Sequence, residues 1–236
     1  DLHSFPTRRS SDLHIVRMYE PVYLELLRAA CDRHDVHLIA DEIAVGFGRT
    51  GTLFACEQAG IRPDFLCLSK GLTGGFLPLS VVLTTQRVYD AFYDDYVKLT
   101  AFLHSHSYTG NPLACSAALA SLDIFRSDDV LARNRDLAAH LGARARELAD
   151  HAHVAEVRQH GMIVAVEMVR DKIRREPYDW RERRGRIVHR HALERGVLLR
   201  PIGDVVYFMP PYVVTPDEID LMVDVAREGI ERATCD

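Results

Sequence analysis

No stretch of this 236-residue chain is apolar for long enough to cross a bilayer. Its longest hydrophobic runs, such as 76–83, fall far short of the ~20 residues that a membrane helix needs, so no membrane anchor is expected. Basic excess is lacking too. Lys and Arg number 29 against 34 Asp and Glu, a formal net charge of −5, so the chain carries no cationic footprint for nucleic acid. The phosphate-loop pattern GxxxxGK[ST] is absent. The cysteines are few, odd in number and scattered (Cys31, Cys56, Cys67, Cys115, Cys235), without metal-ligand spacing. That pattern points to reduced thiols and a cytoplasmic setting rather than a disulfide framework. Twelve histidines include His104-Ser105-His106, but a His-x-His pair without a third ligand does not make a metal site, and no metal is expected. Repeats and low-complexity tracts are missing as well.

What is present is the composition of a soluble globular protein, 47% hydrophobic and 27% charged. The first thirteen residues, DLHSFPTRRSSDL, stand apart. They are polar, rich in Arg and Ser, without strand or helix periodicity, and without the apolar core of a signal peptide. The run resembles a translated sequencing-adapter tract, so residues 1–14 are set aside as a non-native leader expected to be disordered.

From Pro21 to Arg33 the apolar positions Val22, Leu26, Leu27 and Ala30 recur at helical spacing. His37–Ala40 then reads as a buried parallel strand with Asp41-Glu42 at its C-terminal edge. A stretch punctuated by Gly46, Gly48 and Gly51 leads to a second buried strand, Phe65–Leu68, which ends in Ser69-Lys70. A third apolar run covers Leu79–Leu83, and Asn111-Pro112 starts a helix that continues to about Phe125. Ser127-Asp128-Asp129 caps a long amphipathic helix through Ala149, after which the pattern becomes α+β. Strands are expected at 154–157, 163–168, 197–200 and 205–209, a helix after the charged segment 174–186, and a last helix from the capping box Thr215-Pro216-Asp217-Glu218. These elements divide the chain into an α/β domain, 15–126, with a mainly parallel sheet, and an α+β domain, 127–236.

Asp41 and Lys70 each stand where a strand releases a polar residue into a loop, the usual place for sites in open α/β sheets. An amine and a carboxylate there suit pyridoxal 5′-phosphate (PLP) chemistry. The amine binds the cofactor covalently and moves a proton, and the carboxylate keeps the pyridine nitrogen protonated so that the ring can take up electrons. Taken alone, the pair reads as solvated surface charge, as such residues are in most proteins.

The flanking sequence decides between the two. LIADEIAVGFGRTG (Leu38–Gly51), with Lys70 in LSKGLTGG 29 positions after the Asp, resembles the class III (ω-type) aminotransferases of PLP fold type I. The likeness continues through HSHSYTGNPLA (His104–Ala114) and LLRPIGDVVYFMPPYVVTP (Leu198–Pro216), and so spans nearly the whole chain from Val16. It implies that Lys70 carries PLP and that Asp41 contacts its ring nitrogen. It also implies that Ser107 holds the phosphate of a neighbouring subunit's cofactor, in a homodimer, with the backbone of His106 beside it. Ser105 falls where some members carry Gly next to the substrate, a departure that leaves its contact open. The run LLRPIGDVVYFMPPY narrows the likeness to members that convert 8-amino-7-oxononanoate to 7,8-diaminononanoate in biotin synthesis, with S-adenosylmethionine as amino donor. By that likeness Arg200 grips the substrate's carboxylate and Tyr207 lines the same pocket. A lysine-using version of the reaction and another ω-aminotransferase stay open as alternatives. In this family the Asp lies beyond the middle of a longer subunit, whereas here it is residue 41. The resemblance therefore implies a C-terminal piece that is inactive alone and exposes sheet edges.

Overall fold

A computed structural model describes residues 17–235; the expected leader, 1–14, lies outside the described residues. The chain divides into two compact units, one of Tyr19–Arg133 and the other built on Asn134–Asp236.

In the first unit, α1 (Pro21–Arg33) starts with Pro in its first turn. The Arg28 guanidinium bonds to Asp64 at 2.9 Å and to Asp32 at 2.6 Å, while Asp64 also accepts the Leu38 backbone N–H at 2.8 Å. These contacts, the Leu38 N–H foremost, hold the Asp64 carboxyl down at about 2. The helix is thereby tied to the segment that enters the sheet. β1 (Ile39–Asp41) runs parallel to β2 (Phe65–Leu68), with Asp41 opposite Cys67, and β3 (Val81–Thr84) returns antiparallel to β2. The mainly parallel sheet expected here is thus one parallel and one antiparallel pairing among the described residues. β1 departs from expectation too. Among the described residues β2 is its one partner, so it is an edge strand, and Ile39 is 61% exposed despite the apolar sequence. A five-residue helix, α2 (Gln86–Asp90), follows β3. Asn111 caps α3 (Pro112–Ser127), accepting from the N–H groups of Leu113 and Ala114. The unit's core is small: Phe47, Leu68, Leu72 and Ala118 are buried, with Leu53, Leu122 and Phe125 packed against them. Large apolar side chains from Phe92 to Leu103 stand in solvent.

The second unit has a full core. α4 (Val130–Arg146) leads into an antiparallel sheet ordered β4 (Val154–His160), β5 (Ile163–Met168), β6 (Val205–Phe208). Against it pack α5 (Arg184–Glu194) and α6 (Pro216–Thr234). Thr215 and Glu218 form the capping box reciprocally, as their spacing predicts. Leu141, Val164, Val166, Phe208, Ile219 and Val223 fill the centre of the core. At Gly229 an added Cβ would sit 3.0 Å from a Val188 methyl, so the absent side chain lets α5 and α6 approach closely.

The strand expected at 197–200 does not form. Val197 and Leu199 are buried and Leu198 and Arg200 exposed, the alternation of an extended segment. Two of its backbone groups bond to α5 instead of a ladder: the Val197 N–H donates to Ala192 and the Leu199 carbonyl accepts from the His189 ring. Arg200 therefore follows an extended, unpaired segment rather than a strand.

Candidate active site

The parallel pair β1–β2 places the C-terminal ends of both strands at one edge of the sheet. Asp41 is the last residue of β1, and Lys70 lies two residues past β2, at the start of a 3-10 turn, Lys70–Thr73. Both side chains are exposed. The Ile43 N–H donates to Asp41 Oδ1 at 3.0 Å, which orients the carboxylate and leaves Oδ2 open. Lys70 has a φ of +31°, a strained backbone for a residue with a side chain. The surroundings impose it: the Leu72 N–H bonds to the Ser69 carbonyl, the Gly75 N–H to the Lys70 carbonyl, and the Ser69 hydroxyl to the Leu79 carbonyl at 2.7 Å. Gly71 is required here, because a Cβ would come within 2.8 Å of the Phe47 side chain. These contacts hold the backbone of Lys70 and so fix where its side chain leaves the chain.

Behind Asp41 lies a residue that sequence reasoning passed over. Glu42 is 3% exposed, and its two carboxylate oxygens accept the N–H groups of Ala55 at 2.6 Å and Cys56 at 2.8 Å. Its own N–H donates to Cys67 of β2 and its carbonyl accepts from Gly46. One side chain thus fastens the glycine-punctuated turn to the end of β1. The signal available beforehand was an acid inside an apolar and glycine context, which is also what a solvated strand end looks like.

The segment 104–111 turns back before α3. The His106 N–H donates to Thr109 Oγ1, the Tyr108 N–H donates to His106 Nδ1, and the Thr109 N–H donates to the His106 carbonyl. Ser107 is exposed and its hydroxyl makes no hydrogen bond among the described residues. Ser105 and His106 share a cavity of about 1000 Å³ with Ser69, Leu79, Val82 and Asn111; Ser107, Asp41 and Lys70 do not line it. In the second unit, Arg200 and Tyr207 line a cavity of about 670 Å³ whose other walls include Leu198, Met209, Val213 and Leu221. No group of three or more metal-binding side chains occurs among the described residues.

The donor set fits PLP: a free primary amine and an oriented carboxylate at one sheet edge, with unengaged hydroxyls in the segment before α3 for a phosphate. Lys70 and Asp41 would hold the cofactor's aldehyde carbon and ring nitrogen.

Residues 16–229 match the family Aminotransferase class-III. The chain is 49% identical over 212 residues to an adenosylmethionine-8-amino-7-oxononanoate aminotransferase of Geobacter sulfurreducens, covering 90% of this chain and 47% of that one. The enzyme of the same name from Methanocaldococcus jannaschii is 41% identical over 219 residues, 91% of this chain and 48% of the relative. Its crystal structure superimposes with a TM-score of 0.87 at 40% identity, over 90% of this chain and 50% of that one. A PLP-bound amine transaminase from an uncultivated Pseudomonas species gives 0.87 at 37% identity, over 93% of this chain and 50% of the other. The chain spans about half the length of the curated relatives it matches.

Proposed function

This chain belongs to the class-III aminotransferase family, and from that premise we propose that it carries the lysine-bearing half of an enzyme that aminates 8-amino-7-oxononanoate to 7,8-diaminononanoate, with S-adenosylmethionine as donor. The fold is that of the PLP-dependent transferases of type I, and PLP is the family's cofactor.

One observation carries the choice of substrate. Arg200, a guanidinium with no acidic partner among the described residues, borders a cavity whose other walls are mostly apolar, with Leu198, Met209, Val213 and Leu221 among them. An aliphatic chain that ends in a carboxylate matches that arrangement. Two parallel charge-assisted bonds would fix the acid end, and the apolar walls would take the methylenes. The tyrosine ring of Tyr207 adds one more wall and a hydroxyl.

When bound, PLP supplies an electron sink for the carbanion formed at the amino-bearing carbon. The residues of this chain do the rest. Lys70 Nζ holds the cofactor and then takes and returns the proton at the reacting carbon. Asp41 Oδ2, left open by the Ile43 contact at Oδ1, keeps a proton on the pyridine nitrogen. Ser107 serves the phosphate of a partner subunit's cofactor, which makes the working enzyme a homodimer.

The test separates the half-reactions in the intact enzyme. Arg200→Ala removes a contact worth ~2–4 kcal/mol, so kcat/KM of the half-reaction with 8-amino-7-oxononanoate falls about 30- to 1000-fold. Arg200→Lys recovers part of this, and the donor half-reaction changes little. Lys70→Ala abolishes turnover and the PLP adduct that borohydride fixes at this position. Equal losses in both half-reactions of the Arg200 variant would overturn the substrate assignment. A borohydride-fixed adduct in the Lys70 variant would overturn the lysine's role.

A further inference from the structure

On its other flank Arg200 borders a second cavity, of about 610 Å³, lined by Trp180, Arg183, Arg186, His189, Arg200 and the backbone around Gly185 and Gly203. Three guanidiniums and an imidazole face this space, and no acidic residue lines it. Two neighbouring acids pair with other arginines, and a third, Asp204 beside Gly203, is half-buried and makes no ion pair among the described residues. Glu182 pairs with Arg184 at 2.6 Å and with Arg170, and Asp179 pairs with Arg181 at 3.1 Å. Arg183, Arg186 and Arg200 make no ion pair or side-chain hydrogen bond among the described residues. In a chain of net charge −5, three guanidiniums without an acidic partner among the described residues gather positive charge around one cavity.

The surroundings set what could fill it. Arg183 is held at a φ of +52°, directly before α5, and caps that helix with no side-chain acceptor, so the first turn of α5 opens at the same place. Gly185 lies so close to Gly203 that a Cβ would be 2.2 Å from its carbonyl oxygen, which fixes the floor of the cavity. His189 Nδ1 lies 2.6 Å from the Leu199 carbonyl, an acceptor, so Nδ1 carries the proton and Nε2 is left over. Trp180 is 76% exposed, with Arg181 over its ring at 5.2 Å.

We propose that the Trp180–Arg183–Arg186–Arg200 cavity binds a multivalent anion with adjacent phosphate groups. A planar guanidinium takes one phosphate by two parallel bonds, and three of them suit two or more linked phosphates better than one. The cavity is large enough for more than the phosphates. Free polyphosphate and a nucleoside polyphosphate share this chemistry, and they differ in whether a ring reaches Trp180. The cavity shares Arg200 with the proposed substrate pocket, whereas Arg183 and Arg186 line this cavity and not that pocket, so their variants test the anion site apart from the transamination.

Trp180 is the chain's only tryptophan and lines this cavity, so tryptophan fluorescence reports on it. Titration of the full chain with inorganic pyrophosphate, ATP and adenosine should show saturable changes for the first two, with Kd below about 1 mM, and none for adenosine. Tighter binding of ATP than of pyrophosphate identifies the nucleotide as the better ligand, and equal binding identifies the polyphosphate alone. Arg183→Ala and Arg186→Ala should each weaken binding about 10-fold or more, while Arg174→Ala, at an exposed site outside the cavity, should not. Calorimetry with pyrophosphate gives the same reading without the fluorophore, and circular dichroism verifies that the variants keep their fold. Absence of saturable binding by both methods would overturn the proposal, as would wild-type affinity in the folded Arg183 and Arg186 variants.

Discussion

Removing the Glu42 carboxylate is the most informative perturbation of the sheet edge. Its oxygens accept two backbone N–H groups, from residues 13 and 14 positions further along the chain, and no cation pairs with it among the described residues. Bonds to a charged acceptor contribute ~1.5–3 kcal/mol each, and part of that is offset by the cost of burying the charge. Glu42→Ala leaves the N–H groups of Ala55 and Cys56 buried without partners and opens a small void. The expected loss is ~3 kcal/mol. Glu42→Gln keeps one acceptor and turns a donor toward the other N–H, for a loss of ~2 kcal/mol. Cys56 reports the change. Burial pushes its thiol up to about 12, and the adjacent Glu42 pushes the same way, so the native thiol is inert toward alkylation near pH 8. If the turn opens ~3 kcal/mol more easily, Cys56 labelling in Glu42→Ala should accelerate about 100-fold, with exposed Cys235 as internal reference. Mass spectrometry of the labelled peptides gives both rates from one sample. A Glu42→Ala protein with an unchanged unfolding midpoint and Cys56 labelling within about twofold of wild type would refute the role of Glu42 as the fastener of this turn.

Two further outcomes are expected. Burial raises the Asp204 carboxyl to about 6, above its unfolded value, so the stability it contributes is present below pH ~4 and is lost as pH rises through about 6. Asp204→Asn should therefore stabilise the protein by ~1 kcal/mol at pH 8, after discounting for solvent screening, and not at all at pH 4; chemical denaturation at the two pH values checks the sign. In the intact enzyme, mixing a Ser107→Ala subunit with a Lys70→Ala subunit should gather both defects in one of the heterodimer's sites and restore activity in the other. No recovery after verified subunit exchange would assign Ser107 to its own subunit's cofactor.

Local rules account for the elements that were legible in the residues. Asn111 and Pro112 start α3, Thr215 and Glu218 close the capping box of α6, and the apolar run 65–68 becomes β2, because each depends on neighbours a few positions away. Where the same kind of signal failed, the missing quantity was a partner. Val197–Arg200 alternates buried and exposed as a strand does, yet among the described residues no neighbouring strand takes its backbone groups, and α5 binds two of them instead. His37–Ala40 reads as a buried strand, but burial needs cover, and among the described residues β1 has one neighbouring strand.

The candidate site divides in the same way. Asp41 and Lys70 could be placed at strand ends from the residues alone, since alternation, turn signals and the surrounding motifs are all written along the chain. The +31° φ of Lys70, the grip of Glu42 on Ala55 and Cys56, and the gathering of Arg183, Arg186 and Arg200 around one cavity could not. Each joins groups whose proximity is decided by how helices and strands pack, and linear spacing carries no record of that distance. By itself the sequence determined the order of elements, the helix caps and the chemistry available at the sheet edge. Tertiary structure alone decided which carboxylate is buried as a fastener, which arginines stay unpaired, and which extended segment finds no strand to join, because burial and pairing belong to the assembled fold and to no single stretch of it.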